Sequence, residues 1–154
     1  MYTKILVPLD GSELSECSLD QVKKIAVVGG VSEVILLKVV EPVSINEATA
    51  WSQAGYTITE VQNKKEAGIK DYLTQTAEKL TDQGISARAE VIEGRAAESI
   101  LDYAEKNKVE LIIISTHGRS GISRWTFGSV ADRVVRHSAI PVLVVSPPGC
   151  RSGK

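Results

Sequence analysis

Val109-Glu110-Leu111-Ile112-Ile113-Ile114, followed by Ser115-Thr116-His117-Gly118-Arg119-Ser120-Gly121-Ile122-Ser123-Arg124-Trp125-Thr126-Phe127-Gly128-Ser129, is the stretch on which the reading of this chain turns. An apolar run stops at Ile114, and a helical pattern of Val130, Ala131, Val134 and Val135 begins after Ser129. The order is strand, glycine-punctuated loop, helix N-terminus. Backbone N–H groups in such a loop, with the unpaired N–H groups and positive dipole end of the helix, suit phosphate oxygens without a dedicated lysine. Arg119 and Arg124 add positive charge beside it. The plainer reading is a tight connection shaped by Gly118 and Gly121, with Ser129 as N-cap in a Ser129-x-x-Asp132 variant of the capping box. An N-cap and a phosphate draw on the same donors, so spacing alone leaves both readings open.

Outward from this stretch, strands and helices alternate. Lys4 to Leu9 is a nearly continuous apolar run, the pattern of a strand buried on both faces in a parallel sheet, broken by Asp10-Gly11-Ser12. Ser12 is placed to cap a helix from about Glu13 to Val28 that stops at Gly29-Gly30. Glu33 to Val40 reads as a second buried strand. Val43 to Thr57, with weak periodicity and the isolated aromatics Trp51 and Tyr56, reads as a long surface excursion. A helix is expected from about Thr59 to Gly84, with Ile69, Leu73, Thr76 or Ala77, and Leu80 on one face. Ser86 to Ile92 alternates, with Ala87, Ala89 and Val91 opposite Arg88 and Glu90, as expected near a sheet edge. A helix running to about Asn107, the strand Val109 to Ile114, a helix from Ser129 to about His137 and a last strand from Ile140 to Val145 complete the alternation. This pattern predicts a three-layer α/β sandwich with a parallel sheet and right-handed crossovers. Ligands in such sheets bind at the carboxyl ends of strands where the strand order reverses. If the first and fourth strands are neighbours, the loops Pro8 to Ser12 and Ser115 to Ser129 face each other across one crevice.

Composition narrows the classes. A chain of 154 residues, 43% hydrophobic, suits one domain with a sizeable core. Eighteen Lys and Arg against 19 Asp and Glu leave a formal charge of −1, so no global field recruits nucleic acid or an anionic membrane. Cys17 and Cys150 form neither a CxxC pair nor a metal-ligand spacing, which suits a reducing compartment. With no leader pattern and no apolar run of membrane-spanning length, a soluble cytoplasmic protein is expected. Neither a Walker lysine motif nor a GxGxxG after the first strand is present, which argues against a P-loop ATPase and a Rossmann dehydrogenase.

Five segments, taken together and in order, resemble the universal stress protein family: Lys4-Ile5-Leu6-Val7-Pro8-Leu9-Asp10-Gly11-Ser12, Gly94-x-Ala96-Ala97-Glu98-x-Ile100, Thr116-His117-Gly118-Arg119-Ser120-Gly121, Gly128-Ser129-Val130-Ala131 and Pro141-Val142-Leu143-Val144-Val145. The resemblance implies a Rossmann-like domain of the adenine nucleotide alpha hydrolase type over residues 1–146, followed by a polar tail, 147–154, expected to be disordered. It implies strand order 3-2-1-4-5 and a homodimer joined through the last strand, Val142 to Val145. ATP-binding members carry Gly-x-x-Gly, nine residues, then Gly-Ser or Gly-Thr. Here Gly118, Gly128 and Ser129 fit that pattern, and Ser115 replaces the first glycine, bringing a Cβ and a hydroxyl where a glycine would let the backbone approach the ligand.

Carried over by position, the resemblance implies that Gly118, Gly128, Ser129 and Val130 cradle phosphates, with His117 and Ser115 near the ribose and α-phosphate and Arg119 as a phosphate contact. Pro8, Leu9, Asp10 and Val39 would line the adenine side, and Asp10 would meet magnesium indirectly. Plain alternatives remain: Asp10 as a turn residue, Val39 as core, Lys38, Arg119 and Arg124 as solvated charges. A branched residue at Gly128 is expected to block nucleotide and leave the fold intact. Three functions follow: an ATP-binding, dimeric regulatory module of the stress response with an unidentified protein partner, a slow ATPase or phosphoryl-transfer enzyme, or a nucleotide-free dimeric scaffold. Trp125 lies inside the proposed phosphate loop, so its fluorescence should respond to nucleotide.

Overall fold

The apolar run that opens the chain forms β1 (Lys4–Pro8), and its neighbours explain why it is apolar on both faces. On one side it pairs in parallel with β2 (Glu33–Val40), and on the other with β4 (Leu111–Ser115) through Ile5 with Leu111 and Leu6 with Ile112. The outer positions fall to β3 (Ala87–Glu93), beside β2, and β5 (Val142–Val145), beside β4. The sheet is parallel throughout, in the order β3-β2-β1-β4-β5, as expected. The computed structural model describes residues 1–11, 17–116 and 128–146.

Successive strand residues point to opposite faces, and each face meets its own helices. Ile5, Val7, Val34, Leu36 and Ile113 share a core with Val22 of α1 (Ser18–Gly29) and Leu73 and Leu80 of α3 (Ile58–Asp82). On the opposite face Leu6, Ile35, Leu37, Ile112 and Ile114 pack with Ile100 and Ala104 of α4 (Ala96–Lys106) and Ala131 and Val134 of α5 (Ser129–His137). Each fully buried Leu or Ile contributes about 1.5–3 kcal/mol, against about 0–1 kcal/mol for an exposed ion pair, so the two apolar layers set the architecture.

The edge strand β3 alternates as its sequence predicts. Ala87, Ala89 and Val91 pack on the α1/α3 core, whereas Arg88 reaches Glu33 at 2.7 Å and also bonds Glu90. Burial is the largest single influence on the Arg88 charge and works against it, but the hydrogen bond to Glu33, the interactions with Tyr103 and the Glu33 charge together outweigh it, and the pKa is raised. Nearby, burial and then the Glu90 charge push the Tyr103 hydroxyl up.

Several local expectations change. The described part of α1 begins at Ser18 with Cys17 at its N-cap, and the expected Ser12 cap lies outside the described residues. Its stop holds: Gly30 is left-handed, φ 61°, a conformation in which a Cβ is strained. The excursion read as irregular contains a helix, α2 (Ile45–Gln53), started by a complete Ser44/Glu47 capping box, and α3 starts with a second, Thr57/Glu60. Residues 147–154, expected as a disordered tail, lie outside the described residues.

Candidate functional site

In a parallel sheet of this order the crossover from β1 leads one way and that from β4 the other, so the loops leaving these adjacent strands diverge and open a crevice. A cavity of about 500 Å³ occupies that place, within the range of small-molecule sites. Pro8, Leu9 and Asp10 line it from the end of β1, Val39 from β2, Ser115 from the end of β4, and Gly128, Ser129 and Val130 from the start of α5. Eight of the eleven residues expected at a ligand site are thus brought together from four separate elements. His117, Gly118 and Arg119 lie outside the described residues, as do Arg124 and Trp125.

Backbone hydrogen bonds hold the rim. Leu9 N–H donates to the Leu37 carbonyl at 2.8 Å, continuing the β1–β2 ladder one residue past β1. At the exit of β4, Thr116 N–H donates to the Val145 carbonyl at 2.9 Å. The returning chain is fastened to the same residue: Gly128 N–H donates to the Thr116 carbonyl at 2.6 Å. The two ends of the long connection are therefore tied together beside the cleft, and the start of α5 is set by β4.

Gly128, rather than Ser129, is the N-cap of α5, which corrects the expected capping box. Its backbone is extended, φ −60° and ψ 152°, and its carbonyl accepts the first helical hydrogen bond, from Asp132 N–H at 2.9 Å. A glycine cap has no side chain to satisfy the first-turn amides, which leaves them available at the cleft. Asp132 pairs instead with Arg136, at 3.0 Å. Gly128 has a second reason to be glycine. A Cβ there would lie 2.9 Å from the Thr116 carbonyl oxygen, so a branched residue disturbs the backbone closure as well as any ligand, and the expectation of an intact fold is not met by the geometry.

The cleft also has walls that the sequence reading left out. Lys65 and Ile69 come from α3, Ala96 and Ile100 from α4, and Thr116 and Glu41 from loops. Ala96 had a signal, since it opens the helix after β3 and helix starts in a parallel sheet gather at the strands' carboxyl ends. Lys65 had none, because its place depends on how far the 25-residue α3 runs past the sheet. Lys38, for which a solvated charge at the strand end is the plain alternative, lines the cavity as well. Asp10, Glu41, Lys38 and Lys65 give the lining two acids and two bases, an arrangement that holds a polar ligand without a strong net field. Among the described residues no cluster of three or more His, Cys, Asp and Glu is placed to hold a metal ion, so a magnesium ion here would depend on ligand oxygens besides Asp10.

Fold and cleft together define a doubly wound α/β domain with a ligand-sized cavity at its switch point. The sequence profile of the universal stress protein family matches residues 1–146, and the chain belongs to that family. It is 33% identical to a universal stress protein of Methanocaldococcus jannaschii, over 96% of this chain and 84% of that one. A universal stress protein of Bacillus subtilis is 32% identical over 94% of this chain and 99% of its own. Among solved structures, a second Methanocaldococcus jannaschii universal stress protein superposes with a TM-score of 0.80 at 32% identity, covering 95% of this chain and 96% of that one. UspA from Lactobacillus plantarum superposes with a TM-score of 0.78 at 25% identity, covering 94% and 97%. No described helix is long and apolar enough to cross a membrane.

Proposed function

We propose that this universal stress protein binds ATP, carried with magnesium, in the cleft between β1 and β4, and acts as a dimeric nucleotide-dependent regulatory module of the stress response. One observation carries the reading: the glycine-capped N-terminus of α5 opens into a cavity at the switch point of the sheet. Amides and dipole there favour an anionic group, and the apolar walls Val39, Ile100 and Val130 suit a planar base. Gly128, Ser129 and Val130 take the phosphates, with Gly118 and Arg119 added from the preceding loop. Ser115 and His117 face the ribose and α-phosphate; Pro8, Leu9, Asp10 and Val39 hold the adenine side.

Family members in other structures are complexes with cAMP and with dAMP. At 24% and 19% identity these share the fold with this chain and no more, so the proposal stands on the cleft itself. Regulation is favoured over rapid phosphoryl transfer because that chemistry needs a metal gripped by several carboxylates and a group positioning the nucleophile. The cleft supplies Asp10 and Glu41 as its acids. The dimer is assigned to β5, an edge strand on which Leu143 is exposed.

The test is calorimetric titration of the purified protein with ATP and magnesium, after chromatography of a protein extract for co-purified nucleotide. Saturable binding or a co-purified adenine nucleotide supports the reading. Absence of both replaces it with a nucleotide-free dimeric scaffold.

A further inference from the structure

Lys65 lines the cleft from α3, yet its ammonium nitrogen lies 3.7 Å from Oε1 of Glu47 in α2. Glu47 is also the third residue of α2 and completes its capping box: its Oε2 accepts the Ser44 N–H at 3.0 Å, and its own N–H donates to Ser44 Oγ at 3.2 Å. One carboxylate therefore starts α2 and pairs with a cation in the wall of the ligand cavity. The Ser44 N–H first, and then the Lys65 charge, hold the Glu47 carboxyl below its ordinary range. No residue of α2 is buried, so the helix gains little from apolar packing. Trp51 reports on it, standing edge-on to Tyr56 with ring centres 5.7 Å apart.

We infer that Lys65 is a charge latch between the cleft and α2: an anionic group in the cavity draws the Lys65 ammonium from Glu47, so that occupancy loosens the tie holding α2 to α3. This inference rests on the reading that the cleft takes a nucleotide. Both side chains are close to half exposed, 44% for Lys65 and 48% for Glu47, so their pair is weak and readily exchanged. A polyphosphate carries more charge than one carboxylate. The four-carbon lysine stem lets the ammonium move without the helix backbone moving.

The experiment is titration with ATP and magnesium, and separately with adenosine, of the wild-type protein, Glu47→Gln, Lys65→Met and the double variant. Glutamine also serves at the third position of a capping box, so Glu47→Gln removes the charge and keeps the start of α2. With its competitor neutralised, Lys65 should tighten ATP binding by about two- to fivefold, the equilibrium worth of an exposed ion pair. Adenosine binding should not change, and Lys65→Met should weaken ATP alone. In the Lys65→Met background, Glu47→Gln should have no effect. In a Trp125→Phe background, ATP should change Trp51 emission, and Lys65→Met should abolish that change.

A Glu47→Gln gain that persists without Lys65 would mean simple repulsion through space, and no gain at all would mean no competition. Either overturns the latch while nucleotide binding by the wild type stands. If the wild type binds neither ATP nor adenosine, the nucleotide reading itself fails and the latch with it.

Discussion

Placing a carboxylate at Ser129 separates a helix end that holds phosphate from one that is only a helix end. Ser129 is the first residue of α5; it is exposed, lines the cleft, and follows a cap with no side chain. In Ser129→Glu the new charge falls where the helix dipole favours a negative group by about 0.3–1 kcal/mol. Arg133, four residues on and 3.1 Å from Glu98, supplies a partner, while Asp132 opposes the new charge. These neighbouring effects are each about 0.2–0.5 kcal/mol and of opposite sign, so the dipole decides. The unliganded protein should therefore gain up to about 1 kcal/mol, or about 2–4 °C in Tm for a domain of this size. For ATP the sign reverses. A carboxylate about 5 Å from a phosphate charge repels it by about 1–3 kcal/mol between water-like and surface-like dielectric, which is a loss of about five- to 150-fold in affinity. Adenosine has no phosphate and should bind as before. Thermal melts without ligand, with titrations of ATP and adenosine, read all three quantities. Unchanged ATP affinity, or parallel losses of ATP and adenosine, would refute the assignment of phosphate to α5.

Further outcomes follow from the same geometry. Gly128→Ala puts a methyl 2.9 Å from the Thr116 carbonyl oxygen and should lower stability by about 1–3 kcal/mol, or about 2–12 °C in Tm, and weaken ATP as α5 shifts; a wild-type melt would contradict the close approach. Leu143→Asp, on the exposed edge strand, should give monomers in light scattering with ATP affinity retained, and a persistent dimer would place the interface elsewhere. The Glu110 carboxylate accepts the Thr3 N–H at 2.7 Å and the Thr3 hydroxyl at 2.9 Å, which lower its pKa below the ordinary 4.5. Because the folded value is the depressed one, this stabilisation is present above the ordinary pKa and is lost as pH falls through the folded value. Glu110→Gln should flatten that acid limb in melts from about pH 6 to about pH 3, and an unchanged limb would remove Glu110 from it.

How much the residues disclosed depends on whether the signal was local. Continuous apolar runs such as Lys4 to Leu9 and Val109 to Ile114, short and bounded by turn residues, have the pattern of strands with both faces covered, and the alternation of Ala87, Arg88, Ala89 and Glu90 marks an edge. The order of elements then limits where a ligand fits. Residues at strand ends were accordingly legible, and Pro8, Asp10, Val39, Ser115 and Gly128 meet in one cavity. Helix α2 escaped a search for apolar stripes because it has no buried face, although Ser44-x-x-Glu47 was there to be read as a start signal. Lys65 escaped for a different reason: no pattern along α3 distinguishes a lysine overhanging the cleft from one facing solvent. The cap of α5 was misplaced by one residue because a serine is the stronger cap by preference, whereas the short bond from Gly128 to Thr116 makes the glycine the turning point.

That bond also sets apart the demands at positions 115 and 128, which flank this loop. Ser115, where nucleotide-binding relatives are expected to carry glycine, is the last residue of β4, paired in register with Val145 and buried at 8% exposure. Among the described residues Lys108 is the one non-glycine with positive φ, so the backbone at Ser115 does not call for a glycine. It sits in register in the strand, and the residue lines the cleft. Gly128 has an ordinary φ as well, but the Thr116 carbonyl stands where its Cβ would be. The demand for glycine at 128 comes from the protein's own closure of the loop, and any such demand at 115 comes from the shape of the ligand. Under the proposed nucleotide reading serine at 115 bears on which ligand fits, while the fold that presents the α5 terminus to the cleft does not depend on a glycine there.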